Sequence, residues 1–131
     1  MSVQSNLRYV PGLVAGADYS ASSNQFTIVK QSTTAPGTVL QCGAATDKIL
    51  GVLQDNPSSG QAATVTREGE SKVVAGGTVT EGDTLTTNAS GQAVTAVDGT
   101  DTTKYRLGIA LESAVSGQVF RVALQIGGRC S

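Results

Sequence analysis

The sequence predicts an all-β protein, and three features of its 131 residues indicate this fold class. Val and Thr are abundant, and their β-branched side chains suit the pleated surface of a sheet better than a helix. The 16 glycines suit tight turns and bulges. Short segments of alternating apolar and polar residues are separated by clusters of turn formers. These features predict many short antiparallel strands joined by turns.

Strand patterns recur along the chain from Gln25 onward. They cover residues 26–30, 38–41, 49–53, 62–67, 71–75, 84–86, 93–96, 107–111 and 118–125. Turn formers fill the intervals, most clearly at residues 55–60, where Asp-Asn-Pro-Ser-Ser-Gly predicts a loop. Glu68, Gly69 and Glu70 separate two strand patterns and predict the turn of a hairpin.

The N-terminal 24 residues differ in composition from the rest of the chain. Residues 9–17 mix Pro, Gly and apolar residues without a period, and residues 20–24 are small and polar. An apolar but aperiodic start is typical of an extended arm that docks on another surface, and the alternative is a simple edge strand or a frayed terminus. We therefore expect an N-terminal arm over residues 1–24 and a single β domain over residues 25–131.

An internal repeat is visible in the sequence. Residues 50–55 (Leu-Gly-Val-Leu-Gln-Asp) recur as residues 107–112 (Leu-Gly-Ile-Ala-Leu-Glu), and at the same spacing Val65 meets Val122. Each copy follows a related piece, which aligns Leu40 with Leu85, and the second copy carries an extra loop near residues 94–105. Two such modules can pack as the halves of a small barrel or sandwich.

Gly51 and Gly108 occupy equivalent positions inside the apolar runs of the two copies. A glycine inside a strand pattern is typical of a bulge or of a close approach by another backbone segment. The repeat therefore predicts the same local feature in both halves of the domain.

The charge pattern argues against binding to nucleic acid or to a membrane. The net charge is −1, from 9 basic and 10 acidic residues that are scattered along the chain. Such a chain has no basic patch to attract a polyanion and no polybasic amphipathic segment. No signal-peptide pattern is recognised, so we expect synthesis in a cytoplasm, where Cys42 and Cys130 would be reduced.

The side chains available for chemistry are few. Histidine is absent, which removes the commonest general base and the usual partner of a nucleophilic Ser or Cys. Glu68 and Glu70 form a carboxylate pair, but an exposed turn is a poor place for catalysis. The sequence therefore predicts a structural or binding module, with no catalytic residues, no cofactor and no metal site.

Several segments resemble the small capsid decoration, or cement, proteins of tailed bacteriophages and prophages. The resemblance covers roughly residues 36–126. It is carried by the Gly-Asp-Thr-Leu turn at residues 82–85, the Gly-Gln-Ala-Val strand at 91–94, the Leu-Gly-Ile-Ala-Leu-Glu segment at 107–112 and the closing strand at 119–124. The sequence departs from the family in its longer N-terminal segment and in its Arg-Cys-Ser ending.

The resemblance implies a small β-barrel or β-clip-like sandwich that acts as a structural virion protein. It implies binding to the major capsid protein on the outer surface of the assembled capsid, commonly as a homotrimer. Such proteins hold neighbouring capsid subunits together against the pressure of the packaged DNA. The protein would be made in the host bacterial cytoplasm and would end in the virion.

The N-terminal arm offers a mode of attachment, because an extended segment can add a strand to an exposed sheet edge of a partner. Leu7, Tyr9, Val10 and Leu13 are the expected capsid-binding anchors. Other phage structural β-modules, such as a head-fibre base or a tail accessory protein, are the alternative. A carbohydrate-binding module is less favoured, since aromatic residues make up only 4% of the chain.

Overall fold

The computed structural model describes residues 8–9, 13–21, 24–33, 37–44, 46–96 and 104–126. These ranges contain β1 (Arg8–Tyr9), β2 (Val14–Ala15), β3 (Ile28–Gln31), β4 (Thr38–Gln41), β5 (Gly51–Leu53), β6 (Val65–Val74), β7 (Thr84–Thr87), β8 (Ala93–Thr95), β9 (Gly108–Ala110) and β10 (Val119–Gln125). None of the described residues is in an α-helix. The predicted all-β fold class is confirmed.

The strands form one open sheet with β2 and β8 at its two ends. The order is β2-β4-β3-β5-β6-β10-β9-β7-β8, and β1 joins as an additional partner of β6. All named pairs are antiparallel except β2 with β4. The longest strand, β6, is central because it pairs with β5, with β10 and with β1.

The hairpin predicted around Gly69 is wrong, because β6 continues without a turn from Val65 to Val74. Gly69 does take a left-handed conformation, with φ of 94°. However, the residues from Glu68 onward pair with β10, and Val65 pairs with β5. Pairing on both sides of the glycine holds the strand extended, so tertiary contacts override the local turn preference.

Two clusters of buried side chains form the interior. The first core consists of Leu13, Ala15, Tyr19, Val29, Val39, Leu50, Leu53, Ala63 and Val65. The second core consists of Ile28, Cys42, Ile49, Val52, Val73, Ala75, Val79, Leu85, Ala93, Leu107, Ala110, Ala114, Phe120, Val122 and Leu124. Since successive strand residues point to opposite faces, β3 and β5 contribute to both cores and are covered on both sides.

The predicted internal repeat is present as two copies of one supersecondary unit. On one side of the central β6–β10 pair the order is β4-β3-β5-β6, and on the other it is β8-β7-β9-β10. Strands β3 to β6 therefore correspond to β7 to β10. Residues 13–67 are named the first repeat and residues 73–124 the second repeat.

The strand registers show that the two repeats are equivalent at the level of single residues. Leu53 lies opposite Val65 in the first repeat, and Ala110 lies opposite Val122 in the second. The two residues of the second pair follow those of the first pair at the same distance along the chain, as the sequence repeat predicts. The pairings of β3 with β4 and of β7 with β8 match in the same way.

One part of the predicted repeat is wrong, namely the match of Leu40 with Leu85. Leu40 lies in β4 opposite Lys30, whereas Leu85 lies in β7, the counterpart of β3. By strand register, the residue of the second repeat that is equivalent to Leu40 is Val94 of β8. The link from β8 to β9 has 12 residues and that from β4 to β5 has 9, so the extra loop is only 3 residues long. The match of Leu40 with Leu85 assumed an extra loop of 12 residues and is therefore shifted.

Each residue of the first core has its counterpart in the second core. Leu13, Ala15, Tyr19, Val29, Val39, Leu50, Leu53, Ala63 and Val65 correspond in this order to Val73, Ala75, Val79, Leu85, Ala93, Leu107, Ala110, Phe120 and Val122. The large side chains are distributed differently: Phe120 replaces Ala63, while Val79 replaces Tyr19. A core tolerates such exchanges of apolar side chains when the surrounding residues repack.

Gly51 and Gly108 lie where another backbone comes very close, as the sequence predicts. A Cβ atom on Gly51 would collide with the carbonyl oxygen of Thr66, and one on Gly108 with that of Ala123. Thr66 and Ala123 are themselves equivalent residues of β6 and β10. Both repeats therefore need a glycine for the same reason.

Candidate functional site

The N-terminal segment predicted as an arm contributes to the first repeat where the structure describes it. Leu13 is only 6% exposed and belongs to the first core. Its carbonyl oxygen accepts a 3.0 Å hydrogen bond from the amide of Ala63, and the amide of Val14 donates to the carbonyl of Gly37 at 2.9 Å. The division of the chain at residue 24 stays a prediction, but residues 13–21 cover the first core.

The four predicted capsid-binding residues have different places in the structure. Leu13 packs inside the first core. Tyr9 lies in β1, where its backbone pairs with Thr66 of β6. Leu7 and Val10 lie outside the described residues. Leu13 therefore has a folding role, and the capsid-binding role of all four residues stays a prediction.

Sequence reasoning missed that the repeat includes the N-terminal segment. Residues 13–16 (Leu-Val-Ala-Gly) match residues 73–76 (Val-Val-Ala-Gly). Ala15 pairs in parallel with Val39, and Ala75 pairs in parallel with Ala93. The signal was present in the sequence, but it lies far from the repeat segments that are easiest to recognise.

A groove of about 530 Å³ lies on the first repeat between β3, β4 and the segment before β5. Leu40 and Leu50 are among its apolar lining residues, and Lys30, Lys48 and Arg67 are its basic ones. Within the described residues, Lys48 and Arg67 have no ion-pair partner. The groove can therefore accept an apolar group that carries a negative charge.

Asp47 balances part of the positive charge in this groove. Its carboxylate contacts Lys30 Nζ at 2.9 Å and accepts hydrogen bonds from the amides of Gly43 (2.8 Å) and Ala44 (3.0 Å). Burial alone would raise the pKa of Asp47, but these hydrogen bonds and the Lys30 charge outweigh it and lower the pKa. The loop before β5 is thus fixed by an ionised carboxylate.

A second charged cluster lies where β6 meets β10. Arg121 contacts Glu70 at 3.3 Å and Glu112 at 3.4 Å. Glu112 also accepts a 3.0 Å hydrogen bond from the Arg121 amide. Glu70, one of the two carboxylates considered for catalysis, is therefore paired with a cation on an exposed strand surface.

Cys42 is a buried side chain of the second core. Burial raises the pKa of its thiol to about 12, and the nearby Asp47 carboxylate acts in the same direction. Because the thiolate is the nucleophilic form, this thiol is unreactive in the folded protein. Cys130 lies outside the described residues.

The described ranges contain no group of three or more His, Cys, Asp or Glu side chains arranged to hold a metal ion. They also contain no helix that is long and apolar enough to cross a membrane.

Comparisons with known proteins agree with this description. The family model of the phage cement proteins matches residues 20–126. The crystal structure of the N base of head fibre gp8.5 from bacteriophage phi29 superposes with a TM-score of 0.67 at 22% sequence identity, and the match covers 86% of this chain and 90% of that one. No match was found among curated proteins.

The similarity to the phi29 protein establishes a shared fold, since the sequence identity is low. The family match is broader evidence, because it spans most of the chain and includes both repeats except for the N-terminal part of the first. This family is structural, and its members act in phage virions. The chain belongs to the phage cement protein family.

Proposed function

We propose that this protein binds the outer surface of the assembled phage capsid and stabilises it by bridging neighbouring copies of the major capsid protein. The observation that carries the proposal is the cement protein match over residues 20–126. A rigid sheet with two covered cores supports it, because a bridge between subunits must resist deformation. The protein would be made in the host cytoplasm and join the virion after capsid assembly.

We further propose that it acts as a homotrimer. Each capsid contact of a small domain can be weak, but a trimer that touches several subunits makes its second and third contacts intramolecular. Avidity then gives stable attachment without a large interface per copy. The mass of the isolated protein by light scattering tests this proposal, and a monomeric mass would contradict it.

The attachment proposal for the N-terminal segment concerns chiefly the residues before Leu13. Leu7, Tyr9 and Val10 would add a strand to an edge of the capsid protein, with backbone hydrogen bonds providing affinity. Deleting residues 2–14 would test this poorly, because it also removes Leu13 from the first core. Deleting residues 2–10 is the better variant, because it removes the three proposed anchors and leaves Leu13 in place, and unchanged capsid binding would contradict the strand-addition proposal.

The central experiment is co-sedimentation of the purified protein with expanded, undecorated capsids of its phage. We expect saturable binding at a copy number that fits the capsid symmetry, and a higher temperature of capsid disruption after binding. The proposed function would be refuted if the protein did not co-sediment with the capsids at concentrations at which other cement proteins saturate theirs.

A head-fibre base is the second candidate, and the structural similarity to the phi29 head fibre base favours it. A fibre base attaches a projecting protein, whereas a cement protein reinforces the shell. Heating decorated and undecorated capsids separates the two functions. Binding that leaves the disruption temperature unchanged would favour the fibre-base function.

A further inference from the structure

The exposed large apolar side chains of the described residues are concentrated in one short segment. Leu111 is 36% exposed, Val115 53% and Val119 48%. Leu111 and Val115 lie on the connection between β9 and β10, and Val119 is the first residue of β10, all in the second repeat. We name these three residues the apolar turn patch. Single exposed apolar residues are ordinary, but a local group of them marks an interaction surface.

The first repeat shows that the fold does not require these apolar residues. The counterparts of Leu111, Val115 and Val119 are Gln54, Ser58 and Ala62. These are polar or small: Gln54 and Ser58 are half-buried, and Ala62 is exposed. The same unit therefore folds with a surface that has no large apolar side chains at these positions.

The backbone of the two turns is also the same. The amide of Ser58 donates to Gln61 Oε1 at 2.8 Å, and the amide of Val115 donates to Gln118 Oε1 at 3.0 Å. The turn is fixed by the glutamine in both repeats. The side chain of residue 115 can therefore vary without changing the turn. The fold does not explain why the second repeat has Val at this position where the first repeat has Ser58.

The patch lies beside a charged side chain, that of Arg121. The Leu111 amide donates to the Arg121 carbonyl across the hairpin at 3.0 Å. Val119 and Arg121 are two residues apart in β10 and share its exposed face. Arg121 is neutralised by Glu70 and Glu112. A partner of this surface is therefore apolar at its centre and needs no compensating charge.

We propose that the apolar turn patch is the surface through which the second repeat contacts the major capsid protein. This inference rests on the proposed function and assigns its contact residues. A second copy of this chain is the less suitable occupant, since a stable interface buries ~800 Å² per partner. Three partly exposed side chains supply much less. A contact of this size is effective for the proposed trimer, because its second and third contacts with the capsid are intramolecular.

The chain itself provides the test variant. Leu111→Gln, Val115→Ser and Val119→Ala together place the residues of the first repeat on the second. The matched control is Ser58→Ala with Ala62→Ser, which changes the equivalent positions of the first repeat, one half-buried and one exposed, without changing its polarity much. Binding to expanded capsids is measured by co-sedimentation, with light scattering and thermal unfolding of each variant alone.

We expect the triple variant to bind capsids about 10- to 100-fold more weakly than the unmodified protein, because it loses the burial of one or two apolar side chains per contact. The control should bind normally, and all three proteins should have the same mass and unfolding temperature. Val115→Ser alone should show a smaller loss in the same direction, and it provides the test should the triple variant unfold.

Three results would overturn the inference. Normal capsid binding by the triple variant would exclude the patch as the contact, while the proposed function would stand. A change in oligomeric mass would assign the patch to an interface between copies of this chain. If the unmodified protein itself did not bind capsids, the proposed function would fail, and this inference with it.

Discussion

The two repeats share a backbone but differ in what they present to solvent. Their strand registers, their strand glycines and the positions of their core residues coincide. Their surfaces do not: the first repeat carries a groove with basic residues, and the second carries the apolar turn patch. Features that both repeats share are therefore the ones that the fold requires. Features that only one repeat has are the candidates for a role in function.

The same comparison applies to the cores. The second core is larger because Ile28, Cys42, Ile49 and Val52 of the first repeat pack into it. The amide of Ile28 also donates to the carbonyl of Gly91 in the second repeat at 2.7 Å. The two repeats are thus joined through the second core, and we expect damage there to be the more costly.

The largest expected effect is that of Phe120→Ala. Phe120 is 2% exposed in the second core, and loss of a buried aromatic ring costs about 3–5 kcal/mol of unfolding free energy. Urea denaturation measures the loss. The neighbouring variant Val119→Ala is the control and should change stability by less than about 0.5 kcal/mol, because Val119 is 48% exposed. Similar losses in the two variants would contradict the assignment of the second core.

Leu13→Ala tests whether the N-terminal segment belongs to the first repeat. Leu13 is 6% exposed, and its truncation should cost about 2–5 kcal/mol by opening a cavity beside Tyr19 and Leu53 in the first core. Thermal and urea unfolding measure the effect. Deletion of residues 2–7 is the comparison and leaves Leu13 in place. Unchanged stability of Leu13→Ala would show that the segment is an independent arm in solution.

Gly51→Ala and Gly108→Ala test the equivalence of the repeats directly. Each added Cβ would collide with a backbone carbonyl of the neighbouring strand, so each variant should lose about 1–3 kcal/mol. Gly77→Ala is the control, because a Cβ there meets nothing within 4 Å. Equal losses at the two strand glycines support the repeat. A loss at only one would show that the repeats differ in rigidity.

The sequence alone predicted features that depend on local pattern and on spacing. The all-β class followed from composition and alternation, and the role of Gly51 and Gly108 followed from their place inside apolar runs. The continuous strand through Gly69 could not be predicted in this way, because its extended form depends on pairing with β10, which is distant in sequence. At Gly69 the local sequence favours a turn, but strand pairing with β10 keeps the backbone of β6 continuous.

The candidate surfaces were less predictable than the fold. Leu13 was predicted to be an anchor because its segment shows no hydrophobic period, yet it packs in the first core with residues of β3, β4, β5 and β6. Val115 and Val119 looked like ordinary strand and turn residues, and only the structural match with Ser58 and Ala62 distinguishes them. Exposure is a property of the assembled fold, so a pattern along the chain identifies apolar residues without telling which of them reach solvent.

The smallest expected effect concerns Asp47, which has no acidic counterpart in the second repeat, where Lys104 takes its place. The pKa of Asp47 is lowered from the ordinary value of 3.8, so its ionised form stabilises the fold. This contribution is complete above pH ~4 and is lost as the pH falls through the lower folded-state pKa.

Asp47→Asn should therefore reduce stability at neutral pH by about 1 kcal/mol or less, since the Lys30 and Asp47 side chains are 31% and 20% exposed. The difference from the unmodified protein should shrink as the pH is lowered below 4. Urea unfolding from pH 7 to pH 3 measures it, and Lys30→Gln in both backgrounds isolates the ion pair from the amide hydrogen bonds. A difference that stayed constant over this range would mean that Asp47 stabilises its loop by shape rather than by charge, and the contrast between the two repeats at this position would then be steric.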